Sequence, residues 1–206
     1  EKASGQTIFF CGDDTRPDED LLKIHYQYHE KGGNNAILGL ALWDEGEEIS
    51  DFMRYLAPNG PQFHYDTIRD KKSAGFSHFY TCNISLNKKW LTENSFDERF
   101  VSAFEDIELG MRLEGRGLKI IFDPSAKVHH MHHYDEKKFG QRMRRVGSGA
   151  VQFLDKYKNN KIILNRFKKI YAPFCFFPGI NLFYQASKLL AESRLIKKIN
   201  IKYHWF

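Results

Sequence analysis

Strands alternating with helices predict a layered α/β domain with a largely parallel sheet at its centre. Three observations point there. Short apolar runs, "TIFFC", "AILGLALW" and "LKIIF", are bounded by turn residues. Between them, inward-facing residues recur at helical spacing, as at Leu21, Ile24, His25 and Tyr28. A hydrophobic fraction of 42% in 206 residues suffices for one sizeable core and argues against global disorder.

In chain order, Thr7 to Cys11 reads as a buried strand, and Pro17 as the start of a helix, where its missing N–H costs nothing. "KGGNN" ends that helix and "AILGLALW" is the next strand. Ile49 to Leu56 forms a short helix stopped by "APNGP". The polar segment up to Ser77 is expected to be a mobile loop. "HFYTCNISL" returns to strand, and "NKKWL" is a turn of helix. Ser102 and Glu105 form a capping box that opens "EDIELGMRLEGRG", which Gly115 and Gly117 end. "LKIIF" and "AKVHHMH" read as strands split by Asp123-Pro124. A helix follows from Asp135 towards Tyr157, then one or two amphipathic helices from Ile162 to Phe206. This divides the chain into a domain over residues 1–158 and a helical extension over 159–206.

The net charge is +5, with the basic excess late in the chain. This suits phosphates or lipid headgroups without proving either. Nucleic acid is not expected as a partner, because no binding motif is present and aromatic residues are not interleaved with basic ones on any strand. Cys11, Cys82 and Cys175 are odd in number and far apart, which excludes a disulfide framework and indicates a reducing, cytoplasmic compartment. No stretch reaches the length of a transmembrane span.

Three stretches carry chemistry. In "GDDTRPD", Asp13 and Asp14 follow a strand, where open α/β sheets bind ligands. Adjacent carboxylates there can hold a hard divalent cation that bridges to substrate phosphates. By itself the pair is explained better as charge complementing the next helix N-terminus. In "FEDIELG", Glu105 is accounted for by the capping box, whereas Asp106 has no such role and is a candidate general base. In "KVHHMHHYDEKKFGQRMRRVGSG", strand alternation puts His130 and His132 on one face. Imidazole is a ligand for transition metals. Arg142, Arg144 and Arg145 beyond it can clamp phosphate, and they read equally as a solvated helix face.

The order of these pieces, from "GDDT.PD.DLL" through "EDIELG.RL" to "G.KI.F.P.A.V.H.H" and "F..R....G", resembles the catalytic half of a family 2 glycosyltransferase, an inverting enzyme of the GT-A fold. The resemblance runs from about Ala3 to about Gly149. It implies a Rossmann-related, mostly parallel sheet, with the nucleotide-binding strands that usually come first missing. It also implies transfer of a sugar from a nucleotide-diphosphate sugar, a UDP-sugar by preference, to a glycan or lipid-linked acceptor hydroxyl, dependent on Mn or Mg.

Residue by residue, the resemblance makes Asp14 the metal ligand in a DXD-like motif whose first Asp is Gly12, with Asp13 on the donor side. Asp106, with Glu105 beside it, would be the catalytic base. His130 would be a further metal ligand or diphosphate contact, His132 the second choice. Arg142, Arg144 and Arg145 would lie along the diphosphate; Gln141 and Arg144 match a Gln-x-x-Arg spacing, with Arg145 where polymerising relatives have Trp. Trp43 and Asn83 would line the donor-sugar and acceptor region. The lysine-rich, aromatic tail reads as a peripheral membrane contact or as a packing helix. The rival reading is a carbohydrate- or membrane-binding module on the same fold that has lost turnover.

Overall fold

In a computed structural model, which describes residues 3–46, 48–101 and 103–175, five strands form one mixed sheet. They are β1 (Thr7–Cys11), β2 (Thr15–Pro17), β3 (Asn35–Trp43), β4 (Asn83–Asn87) and β5 (Lys119–His130), in the order β1-β4-β3-β5-β2. Helices α1 (Leu21–Glu30), α2 (Asp51–Leu56), α3 (Lys89–Thr92), α4 (Glu105–Gly115) and α5 (Glu136–Lys156) belong to the same unit, Glu1–Lys156. A second unit, Tyr157–Phe206, contains α6 (Lys161–Cys175). Residues 176–206, on which most of the expected tail falls, lie outside the description. Among the described residues no helix is long and apolar enough to cross a membrane.

The nine-residue apolar run of β3 occupies the middle of the sheet, paired on both sides and buried on both faces, which explains its lack of alternation. The expectation of a largely parallel sheet is corrected. Among the described strands only β3 and β5 run parallel; β1 with β4, β4 with β3, and β5 with β2 are antiparallel. The parallel expectation came from the alternation of strands and helices, which would carry the β3–β4 connection across the sheet. Instead it leaves and returns at the same end of the sheet, so β4 enters reversed. The core gathers Ala36, Leu38, Ile84, Leu86, Ile120 and Phe122 from the sheet with Leu109 and Leu113 from α4.

Several local expectations change with tertiary context. Pro17 closes β2 rather than opening a helix; α1 starts at Leu21, with the predicted inward face. The 44–82 connection is no polar mobile loop, for Phe63, Tyr65 and Phe76 are buried and Tyr65 stacks on Phe122 at 5.2 Å. Its helix α2 is capped by Ser50, whose side chain accepts from Met53 N–H at 3.2 Å. The "HFYTCNISL" strand is confined to Asn83–Asn87, because His78 and Phe79 belong to a tight turn and its exit. Helix α4 begins at Glu105 itself, after Phe104 in a left-handed conformation (φ 72°) with no side-chain cap. Ser102 lies outside the described residues.

Asp123-Pro124 does not split a strand but bulges one. The register with β3 jumps from Gly39↔Asp123 to Leu40↔Lys127, and Asp123 Oδ1 holds the bulge by accepting from Ser125 N–H (2.9 Å) and Oγ–H (2.6 Å). Asn83, fully buried, pins it. Its amide nitrogen donates to the carbonyls of Ala126 (3.0 Å) and Leu40 (3.3 Å). Its oxygen therefore accepts from His25 Nε2–H (3.1 Å), while His25 Nδ1 accepts from Ser85 Oγ–H (2.8 Å). Burial pushes His25 down to about 4, so it stays neutral. Opposite the bulge, a Cβ on Gly39 would collide with Asn83 and the Ala126 carbonyl.

Candidate active site

The strand half of the site is built by a ladder. After β1, Gly12 to Asp14 makes a turn closed by Thr15, whose N–H and Oγ–H both donate to the Gly12 carbonyl (3.3 and 2.7 Å). Strand β2 then pairs Thr15 with His130 and Arg16 with His129. Met131 N–H donates to the Asp14 carbonyl at 2.9 Å. The acidic turn and the histidine run are thus neighbours by register. Asp14 Oδ1 lies 3.5 Å from His130 Nδ1, and Asp14 Oδ2 lies 3.9 Å from His132 Nδ1. Asp13 is exposed beside them. His129, on the opposite face, bonds Asp18 at 2.8 Å.

His130 is nearly buried. Phe63 stacks on it at 5.5 Å, Trp43 packs at 6.1 Å, and its Nε2 has no hydrogen-bond partner. Burial lowers its pKa, with the Asp14 charge opposing, which keeps a lone pair available. Trp43 is itself buried, its indole N–H donated to the Met53 carbonyl at 2.6 Å; it supports the imidazole rather than lining an open surface. Asn83, expected with Trp43 to line the donor-sugar and acceptor region, is the enclosed pin described above.

The helix half is built by packing. Gly149 of α5 sits against the Ala103 carbonyl, where a Cβ would come within 2.6 Å, and Phe153 packs on Phe104 at 5.9 Å. This carries α5 across the first turn of α4. The Asp106 carboxyl is desolvated there and lies beside the Glu105 charge, which together push it up to about 7; Ile107 N–H (2.7 Å) and the positive charge of Arg142 oppose. One oxygen of Glu105, Oε2, is buried without a partner, as is Arg142 Nε.

Cys82 joins the halves. Its carbonyl accepts from Gly12 N–H at 3.3 Å. Burial pushes its thiol up to about 12, and the charges of Asp106 and Asp14 both add to this while Arg142 opposes. Arg142 likewise acts on His130. The charges of Asp14, Asp106 and Arg142 thus all act on the buried Cys82 thiol, and those of Asp14 and Arg142 act on His130. Of the arginines only Arg142 is on the packed stripe of α5; Arg144 and Arg145 are exposed. The Gln-x-x-Arg spacing pointed to Arg144, but helical phase puts Arg142 in line with Gly149 and Phe153. Cys82 carried no motif and was not legible as a site residue.

The donors at Asp14 and His130 fit a divalent cation as part of a set. A separation of 3.5 Å suits two ligands each about 2.1 Å from one ion. No cluster of three or more His, Cys, Asp or Glu with ligand spacing exists among the described residues. The remaining positions would be taken by phosphate oxygens or water, the usual arrangement for such ions.

No family model matches the chain, and no curated protein matches it in sequence. Among solved structures, it is similar to residues 1–349 of S. aureus TarS, a glycosyltransferase, in complex with UDP, with a TM-score of 0.51 and 16% identity. The match covers 88% of this chain and 51% of that one, so the chain spans about half the length of the structure it matches. The likeness shows the fold alone, a mixed α/β fold shared with that structure.

Proposed function

We propose that this chain carries the catalytic part of an inverting glycosyltransferase, which moves a sugar from a nucleotide-diphosphate donor to an acceptor hydroxyl. The observation that carries the reading is the Asp14–His130 pair at 3.5 Å, with Asp14 and Asp106 both acting by charge on the same buried thiol, Cys82. A likeness to a UDP-bound structure agrees with it and favours UDP as the carrier.

In this reading Asp14 and His130 hold Mn or Mg, which when bound acts as a Lewis acid on the diphosphate. Arg142 adds fixed positive charge where the leaving group gains its negative charge. The acceptor oxygen attacks the anomeric carbon as the sugar–phosphate bond breaks, the bonding pair leaves with the nucleoside diphosphate, and the acceptor proton passes to Asp106. A carboxylate with a pKa near 7 suits that transfer, since a base works best when tuned close to the operating pH.

The test is release of nucleoside diphosphate across a panel of nucleotide sugars, with Mn, with Mg and with chelator. Metal-dependent release from one donor class is expected. Folded protein that turns over no donor with either metal would leave a binding module on this fold.

A further inference from the structure

A buried ion cluster on α4 plays no part in the chemistry above. Glu108, two residues beyond Asp106, is fully enclosed. Its carboxylate accepts from Arg112 Nε at 2.8 Å and from Lys156 Nζ at 2.5 Å. Lys156 also bonds Asp97 Oδ2 at 2.7 Å, and Asp97 is held in turn by Arg99. Two features say what this cluster is for. Lys156 is the last residue of α5, the helix that carries Arg142. At 3.6 residues per turn, Arg142, Gly149, Phe153 and Lys156 fall within about 60° of one another. All four act on one short segment: Gly149 on Ala103, Phe153 on Phe104, Lys156 on Glu108, and Arg142 on Asp106 by charge.

We propose that the Glu108–Lys156 pair is a latch that sets the register of α5 on α4 and so positions Arg142 over Asp106. Gly149 and Phe153 meet Ala103 and Phe104 through a backbone carbonyl and a ring, contacts without charge or direction, and sliding by one turn would shift Arg142 by about 5.4 Å. An ion pair in a dry contact is directional and intolerant of displacement, and specifying register is the best-attested use of buried charge. Lys156 is on this account a positioning residue acting through Arg142. The inference rests on the proposed function for its catalytic meaning, but not for its geometry.

The experiment follows Asp106 by 13C NMR titration in the full chain, alongside donor turnover. The groups facing Asp106 are Glu105 on its own helix, Cys82 from before β4, and Arg142 from α5. In K156M the Asp106 midpoint is expected to rise by about half a pH unit or more, as in R142Q, because the arginine charge is lost in both. The double variant should titrate no higher than R142Q. Turnover of K156M should fall about ten- to a hundredfold, the cost of misplacing a group by about 1 Å, and K156R should restore both readouts. Gly149→Ala, which displaces α5 without altering any charge, carries the same expectation should K156M not fold. A lower melting temperature with the wild-type midpoint and pH profile would overturn the latch. If the wild type turns over no donor but the midpoints shift as stated, the reaction falls and the latch stands. Turnover with unshifted midpoints does the reverse.

Discussion

Asp14 meets His130 because two adjacent strands are laddered together, whereas the Arg142 charge reaches Asp106 because α5 packs on the residues that lead into α4. The electrostatics differ accordingly. The strand half is open, with the side chains of Asp14 and His132 44% and 42% exposed. The helix half is dry enough to push a carboxyl up to about 7. Charge costs little in the first and much in the second, because the interaction strengthens as the effective dielectric falls. Under the proposed function the two environments serve different tasks, the open half receiving charged ligands and the desolvated half tuning a base.

The comparison breaks most sharply at Asp106. Asp106→Asn should lower transfer by about a hundred- to ten-thousandfold, leave nucleotide binding intact, and raise the melting temperature at pH 8. The last point follows from the raised pKa. The folded chain keeps a proton that the unfolded chain releases, so stability declines as pH climbs from about 4 to about 7, and asparagine removes that decline. Calorimetry at pH 5 and pH 8 separates the two, and a wild-type turnover profile should show an acid limb near pH 7. Asp14→Ala tests the opposite half. Titration calorimetry with Mn and UDP should show about ten- to a hundredfold weaker binding, with the Asp106 midpoint unmoved. A shift in that midpoint would mean the halves are not separable.

Smaller effects test the scaffold between them. Gly39→Ala forces a Cβ into Asn83 and the bulge and should cost about 1–3 kcal/mol by denaturant unfolding. Because the bulge leads into His130, it should weaken nucleotide binding as well. His25 makes the same core pH-sensitive. Its lowered pKa means the unfolded chain takes up a proton first, so stability should fall as pH drops from about 6.5 towards 4, and His25→Gln should flatten that slope. Ser50→Ala removes only a cap distant from both halves. It should cost about 1 kcal/mol and leave transfer unchanged.

The strand half was the more legible of the two. Histidine alternation placed His130 and His132 on one face, and both flank Asp14. The helix half was legible only as a carboxylate pair. Arg144 looked the better arginine by spacing, and the partnership of Lys156 with Glu108 across 48 residues leaves no local trace. Asn83 was readable as a polar residue near the site but not as a pin, since its three partners come from α1, β3 and the β5 bulge.

The amino-acid sequence by itself indicated most of the strands and helices and named candidate side chains for chemistry, because periodicity and residue type are local properties. It also placed Asp14, Asp106 and His130 as the residues to follow. Tertiary structure alone decided that β4 runs antiparallel, that Arg142 rather than Arg144 lies on the packed stripe of α5, and that burial beside Glu105 pushes Asp106 up to about 7. Strand direction and proton affinity depend on which distant groups come to share one edge or one dry pocket, and spacing along the chain does not encode that.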